Sequence, residues 1–370
     1  MNQLLANIEE TLLMGPGPSM VSPEVYQALS ANTLGHLDPA FINIMNNIKQ
    51  KQQELMQTKN KLTIPVSGTG SAGMETCFVN LIEPGDQVLI LSNGVFGKRM
   101  QDVAGRLRTE VDALEFEWGT PVVLEEVEKQ LRNKKYDLMA VVHAETSTGV
   151  ANPVEEISKL VQQYTEALYL VDTVTSLGGI PVKTDEWQID AIYSGTQKCL
   201  SCPPGLSPVS FSDKAVEKIK SRKSKVPNWY LDLTMLINYW AGEKRVYHHT
   251  APINMLYGLL QAIDLILEEG LEKSFQRHRE THQYLAQQLE DLDISFLVDQ
   301  SCRLPMLNAV RIPEGVDEAN LRKNLLEKHH IEIGAGLGPL AGKIWRIGLM
   351  GYTSSRKNVD RLVSALKEEI

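Results

Sequence analysis

The chain is short of cysteine, of positive charge and of long apolar runs. Its 370 residues hold four cysteines, Cys77, Cys199, Cys202 and Cys302. That is too few for a disulfide scaffold, so a reducing, cytoplasmic setting is expected. Lys and Arg number 37 against 46 Asp and Glu, a net charge of −9, which is the wrong sign for a nucleic-acid partner. No apolar run approaches the ~20 residues of a membrane helix, and no membrane partner is expected. The first ten residues lack the basic and apolar regions of a secretory leader, and Lys367–Ile370 carries no address signal. His143, His248, His249, His329 and His330 show no metal-ligand spacing, so no metal is expected. The nucleophile turn of a Ser-His-Asp hydrolase is missing. His36 and Asp38 read as structural. There is no internal repeat and no low-complexity segment.

What is present is an ordinary globular composition, 43% hydrophobic and 22% charged, long enough for a large domain and a smaller one. From about residue 62 to 215, short β-rich runs alternate with helical stretches. Strands are predicted at 87–92, 136–143, 167–172 and 189–194, with a helix over 97–107 and another opened by Pro153. Continuous apolar strands alternating with helices imply an α/β fold with a mostly parallel sheet covered on both faces. Ligands in such sheets bind at the carboxyl ends of the strands. Residues 256–290 read as a long helical spine broken near Gly270. Short strands near Phe296, 307–312 and 344–349, then an amphipathic helix to Ile370, suggest a small C-terminal α/β domain. The division is read as an arm over 1–20, a large domain over 21–268 and a small domain over 269–370.

Two strand ends carry the most chemistry. One apolar run ends at Asp172. Another ends in the turn Ser194-Gly-Thr-Gln-Lys198. A lysine and a carboxylate facing each other are what pyridoxal 5'-phosphate (PLP) chemistry requires. The amine holds the cofactor as an imine, and the carboxylate keeps the pyridine nitrogen protonated. A buried lysine also ionises less readily. Taken alone, Asp172 reads equally as a helix cap or turn residue.

The segment Gly68-Thr-Gly-Ser-Ala-Gly73 satisfies the G-x-G-x-x-G pattern of dinucleotide sites. Pro65 weakens the run before it as a central strand, and the next strand ends in Ser92-Asn93, without the acid that holds a ribose. A phosphomonoester cradle suits it better, with close backbone approach, two hydroxyls and a helix N-terminus. A plain strand-to-helix turn is the alternative. Phe96, just past a strand end, can stack on a flat ring or simply pack. Arg346, alone in an apolar strand, can grip a carboxylate at two points or point to solvent from an edge strand.

At this point the motifs resemble a known family. Gly15-Pro-Gly-Pro-Ser19, Ser67-Gly-Thr-Gly70, Asn93-Gly-Val-Phe-Gly97, Ser147-Thr-Gly149, Val171-Asp172, Tyr193-Ser-Gly-Thr-Gln-Lys198, Tyr247-His-His-Thr250 and Arg346-Ile-Gly348 are similar to those of class V, fold-type I PLP-dependent aminotransferases. The likeness is closest to the alanine–glyoxylate/serine–pyruvate group, and it covers nearly the whole chain. The resemblance implies that Lys198 carries the cofactor and Asp172 pairs with the ring nitrogen. Phe96, where relatives often have tryptophan, stacks on the ring, and Ser147 approaches its 3-hydroxyl. Thr69, Gly70, Ser71 and Gln197 bind the phosphate, with Ser71 where relatives often have histidine. Tyr247 and Thr250 reach the phosphate of the neighbouring subunit in a homodimer with shared sites. Arg346, with Ser147 and Gly17, binds the substrate. The implied reaction is transamination between a small amino acid, alanine or serine, and a 2-oxo acid such as glyoxylate. Serine–glyoxylate, 3-hydroxykynurenine and ureidoglycine aminotransferases are alternatives within the family. A cysteine desulfurase needs a thiol on a mobile loop, for which Cys302 alone is placed, and usually has histidine where Gln197 stands. An NAD-binding oxidoreductase rests on Gly68–Gly73 alone.

Overall fold

The computed structural model describes residues 2–240 and 245–370. Seven strands form the main sheet: β1 (Leu62–Ser67), β2 (Gln87–Ser92), β3 (Glu110–Glu115), β4 (Leu138–Val142), β5 (Leu168–Asp172), β6 (Ala191–Tyr193) and β7 (Leu206–Phe211). Their order across the sheet is β1-β7-β6-β5-β4-β2-β3. All neighbours run parallel except β7, which is antiparallel to both β1 and β6. The interior strands are buried almost throughout, β4 (LMAVV) being apolar at every position, because helices cover the sheet. Pro65 does sit in a strand, but β1 is the sheet's edge, opposite Pro208 of β7, where a missing N–H is tolerated. The polar strand β3 closes the other edge.

Helices α1 (Gly70–Leu81), α2 (Val95–Arg106) and α3 (Val154–Tyr164) connect the strands. Both α1 and α2 begin directly beyond a strand's carboxyl end, so their N-termini open on the same rim. The spine is two helices, α4 (Ile253–Glu269) and α5 (Leu271–Glu290), broken at Gly270, whose φ of +88° only glycine adopts without strain.

A second core gathers Leu285, Leu289, Val310, Trp345, Leu362 and Leu366. It lies around β8 (Leu307–Arg311), β9 (Gly334–Ala335) and β10 (Ile344–Gly348), with β10 in the middle. The N-terminal segment joins this core. Leu12–Leu13 pairs with Ile331–Glu332 in parallel, and Met14 is fully buried in the cluster. Residues 15–19 then cross to the main sheet's rim. Among the described residues, no helix is long and apolar enough to cross a membrane.

Candidate active site

The turn after β6 is lashed to β7. The Ser194 N–H donates to the Pro208 carbonyl at 2.7 Å, and the Thr196 hydroxyl donates to the Pro203 carbonyl at 2.7 Å. The turn thereby carries Lys198 to the carboxyl rim of the sheet. The Lys198 carbonyl accepts from the Ser19 hydroxyl at 2.7 Å and from the Ser201 N–H at 3.0 Å. The side chain is 8% exposed, and its amine donates to the Pro16 carbonyl. Burial first, then the Arg346 guanidinium, lowers this amine to about 8. Gly17 passes directly over it, at φ +105°. A Cβ there would lie 2.8 Å from Lys198 Cδ and 2.9 Å from Nζ.

Asp172 ends β5, in register with Val142 on one side and Tyr193 on the other. Its Oδ2 accepts from the Tyr193 hydroxyl at 2.6 Å, and its Oδ1 from the Val174 N–H at 2.8 Å. Burial pushes the carboxyl up to about 6, against the pull of these two bonds. The turn role foreseen for this residue is therefore real, and it coexists with a carboxylate aimed at the rim.

Thr69 stands at the N-cap of α1 with its hydroxyl uncommitted to capping. The N–H groups of Gly70 and Ser71 lie at this N-terminus, which favours an anion, while that of Ala72 donates to the Thr69 carbonyl at 2.7 Å. Gly70 is buried, and a Cβ there would lie 3.2 Å from Val174. Ser71 is exposed, with Arg99 Nη1 at 3.4 Å from its hydroxyl. Gln197 Oε1 is buried without a partner among the described residues, so an acceptor is held ready for a donor from outside the chain. Phe96 is half-buried, and the Arg99 guanidinium lies 4.9 Å from its ring centroid.

A cavity of about 540 Å³, open to solvent, joins these groups: Thr69, Gly70, Ser71, Phe96, Asp172, Gln197 and Lys198 line it, together with Arg99, Thr146 and Tyr193. An amine, a carboxylate, an aromatic face and a helix N-terminus thus converge on one space. That set suits a flat, anionic aldehyde.

Other site residues stand differently. The Ser147 hydroxyl is turned from the cavity. It donates to Glu145 Oε1 at 2.5 Å and accepts from the Val95 N–H at 3.0 Å, and its neighbour Thr146 lines the space instead. Arg346 is 7% exposed on the central strand β10, which removes the edge-strand reading. Its Nη1 donates to the Thr146 carbonyl at 3.2 Å and its Nε to the Ala335 carbonyl at 2.7 Å. Burial lowers this guanidinium to about 10, so it stays cationic at neutral pH. Tyr247 is 57% exposed, its hydroxyl 3.3 Å from that of Thr250, and neither lines this chain's cavity.

Sequence reasoning gave no role to Arg99, Tyr193, Glu145 or the Pro16 carbonyl. Arg99 was findable, one helical turn after Phe96 on the same face. Tyr193 was findable only through the register of β6 on β5. The Pro16 contact, 182 residues from Lys198, left no local signal.

The family profile described as aminotransferase class-V matches residues 18–362. A solved structure of an alanine–glyoxylate aminotransferase from Nostoc sp. is 48% identical, with a TM-score of 0.96 over 98% of this chain and 96% of that one. The alanine–glyoxylate aminotransferase of Mus musculus is 42% identical over 367 residues, 98% of this chain and 88% of that protein. The (S)-ureidoglycine–glyoxylate transaminase of Bacillus subtilis (strain 168) is 39% identical over 373 residues, 96% of this chain and 89% of that protein.

Proposed function

Because the chain belongs to the class-V aminotransferase family, we propose that it is a PLP-dependent enzyme moving the amino group of alanine to glyoxylate. The observation that carries the reading is one cavity holding the Lys198 amine, the Asp172 carboxylate and the N-terminus of α1. The fit extends to the uncommitted Thr69 hydroxyl beside that helix end and to Gln197, whose amide nitrogen can donate to a phosphate. Lys198 would hold the cofactor covalently, Asp172 its ring nitrogen and Phe96 its face. Thr69, Gly70, Ser71 and Gln197 would hold the phosphate, joined by Tyr247 and Thr250 from a second copy of the chain.

When bound, PLP supplies an aldehyde that exchanges amino groups and a protonated ring that accepts an electron pair. The protein's own part follows from its geometry. Arg346, fixed by two backbone carbonyls, binds the substrate carboxylate by charge-assisted hydrogen bonds. The Lys198 amine, lowered to about 8, is neutral often enough near pH 7 to take the proton from the donor's α-carbon and return it. Asp172, ionised above about 6, would keep the cofactor's ring nitrogen protonated. Gly17 and Pro16 roof the lysine and keep water from it.

The Bacillus subtilis relative favours a second reading, (S)-ureidoglycine as donor. The desulfurase reading loses support from Cys302, whose thiol sits 3.6 Å from the Asp299 carbonyl and does not line the cavity. The dinucleotide reading loses it from Gly68–Gly73, which opens onto the lysine and the aspartate. All four cysteines are free, which supports a cytoplasmic setting. The two separate cores support a boundary near residue 268 between 21–268 and 269–370, with the 1–20 arm packed into the second core.

The test is direct. Purified protein should show a visible absorption band, and Lys198→Ala should lack both the band and turnover, by at least about 1,000-fold. In a panel of alanine, serine and (S)-ureidoglycine against glyoxylate, alanine should give the highest kcat/KM. A preference for (S)-ureidoglycine moves the assignment to the second reading, and a colourless protein ends both.

A further inference from the structure

We propose that Glu145 is a positioning residue of this site: its buried carboxylate ties the first turn of α2, at Phe96, to the Ser147 turn and, through that turn, sets the Arg346 guanidinium. The inference rests on the PLP-dependent reading above and adds to it a residue that does not line the cavity.

Glu145 is fully buried, at the start of a tight hairpin in which Ala144–Glu145 pairs with Val150–Ala151. Its Oε1 accepts from the Ser147 N–H at 3.0 Å and the Ser147 hydroxyl at 2.5 Å. Its Oε2 accepts from the Phe96 N–H at 3.2 Å. The Ser147 hydroxyl in turn accepts from the Val95 N–H. Two segments from different strands, the first turn of α2 beyond β2 and the hairpin after β4, therefore close on a single carboxylate. The approach is tight, because a Cβ on Gly94 would lie 2.4 Å from Glu145 Cδ and 2.5 Å from Ser147 Oγ.

Three donors and no acceptor bond this carboxyl, the pattern an ionised group satisfies. Burial raises its pKa, and the Ser147 and Phe96 bonds oppose that rise. Asp172 repels it, while Arg346 and Lys198 are attracted to it. The adjoining Thr146 carbonyl receives Arg346 Nη1. One residue thus couples the aromatic that would cover the ring to the guanidinium that would hold the substrate, and touches neither ligand.

Glu145→Gln keeps the shape and breaks the pattern. The amide oxygen can still accept from Ser147, but the amide nitrogen then meets the Phe96 N–H, donor against donor. The holoenzymes of wild type and Glu145→Gln are compared by the rate of PLP loss on dilution, the visible circular dichroism of bound PLP, and KM and kcat for alanine. Losing a charge-assisted bond of this kind corresponds to roughly a tenfold effect. PLP should leave about tenfold faster, the dichroic band should weaken, and KM for alanine should rise at least as much as kcat falls. Glu145→Asp, one methylene short of the Phe96 N–H, should show the same changes in smaller measure. Unchanged PLP loss, dichroism and KM in Glu145→Gln, with or without a lower melting temperature, overturn the proposal. Failure of both variants to fold also overturns it, since the carboxylate would then be a folding element. A wild-type protein with no visible band instead sinks the reading beneath it.

Discussion

An aldehyde reacts with a neutral amine, and Lys198 is built to be one. Its amine titrates near 8, mainly through burial and then through Arg346, whereas an ordinary lysine titrates near 10.4. Below 8 a growing share of the amine is protonated, and the protonated form is inert. The rate of PLP uptake by the apo protein should therefore climb about tenfold per pH unit in the acid range and level just above 8. Asp172 adds a second slope of the same sign. As pH falls through about 6 its carboxyl takes a proton, and the charge that would hold the ring cation is lost. Arg346→Gln removes one cause of the lysine's shift, so the plateau should move to higher pH, read by stopped-flow absorbance. A plateau above 10 in the wild type would contradict the burial argument. At this scale, Lys198 and Asp172 were legible because each ends an apolar run. Ser147 was not. Its hydroxyl bonds Glu145, a contact no local sequence pattern signals, while the neighbouring Thr146 lines the cavity.

Among the elements, the alternating run from residue 62 to 215 was legible because parallel strands are apolar along their whole length. The break at Gly270 was legible for a similar local reason. The edge strand β3 was not, since its polar sequence lacks that signature. Nor was the fate of residues 1–20. They read as an arm, yet Leu12–Leu13 adds a strand beside Ile331–Glu332, and the Gly15–Ser19 segment roofs the lysine. Gly17→Ala tests that roof. Its Cβ would meet three atoms of the Lys198 side chain within 2.9 Å, at a φ that disfavours any side chain. Displacing the amine by a fraction of an ångström should lower kcat/KM by about 100-fold, with the melting temperature little changed. A variant within threefold of wild type would show that the segment yields freely.

At the scale of the whole molecule, Tyr247 and Thr250 test whether the site is shared between subunits. Both lie outside their own chain's cavity, next to His248 and His249, against which the exposed Trp229 and Tyr230 pack. Mixing two inactive proteins decides it. One carries Lys198→Ala, the other Tyr247→Ala with Thr250→Ala. If these residues serve the neighbour's phosphate, each hybrid dimer regains one intact site, and activity should return to roughly a quarter of the wild-type level at equal mixing, since half the dimers are hybrids with one good site of two. No recovery, with hybrid dimers present, places the pair in their own chain's site or in none.

The local pattern of residues decided the succession of strands and helices, the small residues that open helix α1, and the two strand ends that carry an amine and an acid. Each of these follows from hydrophobic periodicity or turn chemistry over a few neighbours. The tertiary structure alone decided that Tyr193 bonds Asp172, that the Pro16 carbonyl meets the lysine, and that Glu145 binds two segments together. Those contacts depend on strand register and on packing between segments far apart in the chain. No short window of sequence encodes them, because the energy that selects them belongs to the assembled core.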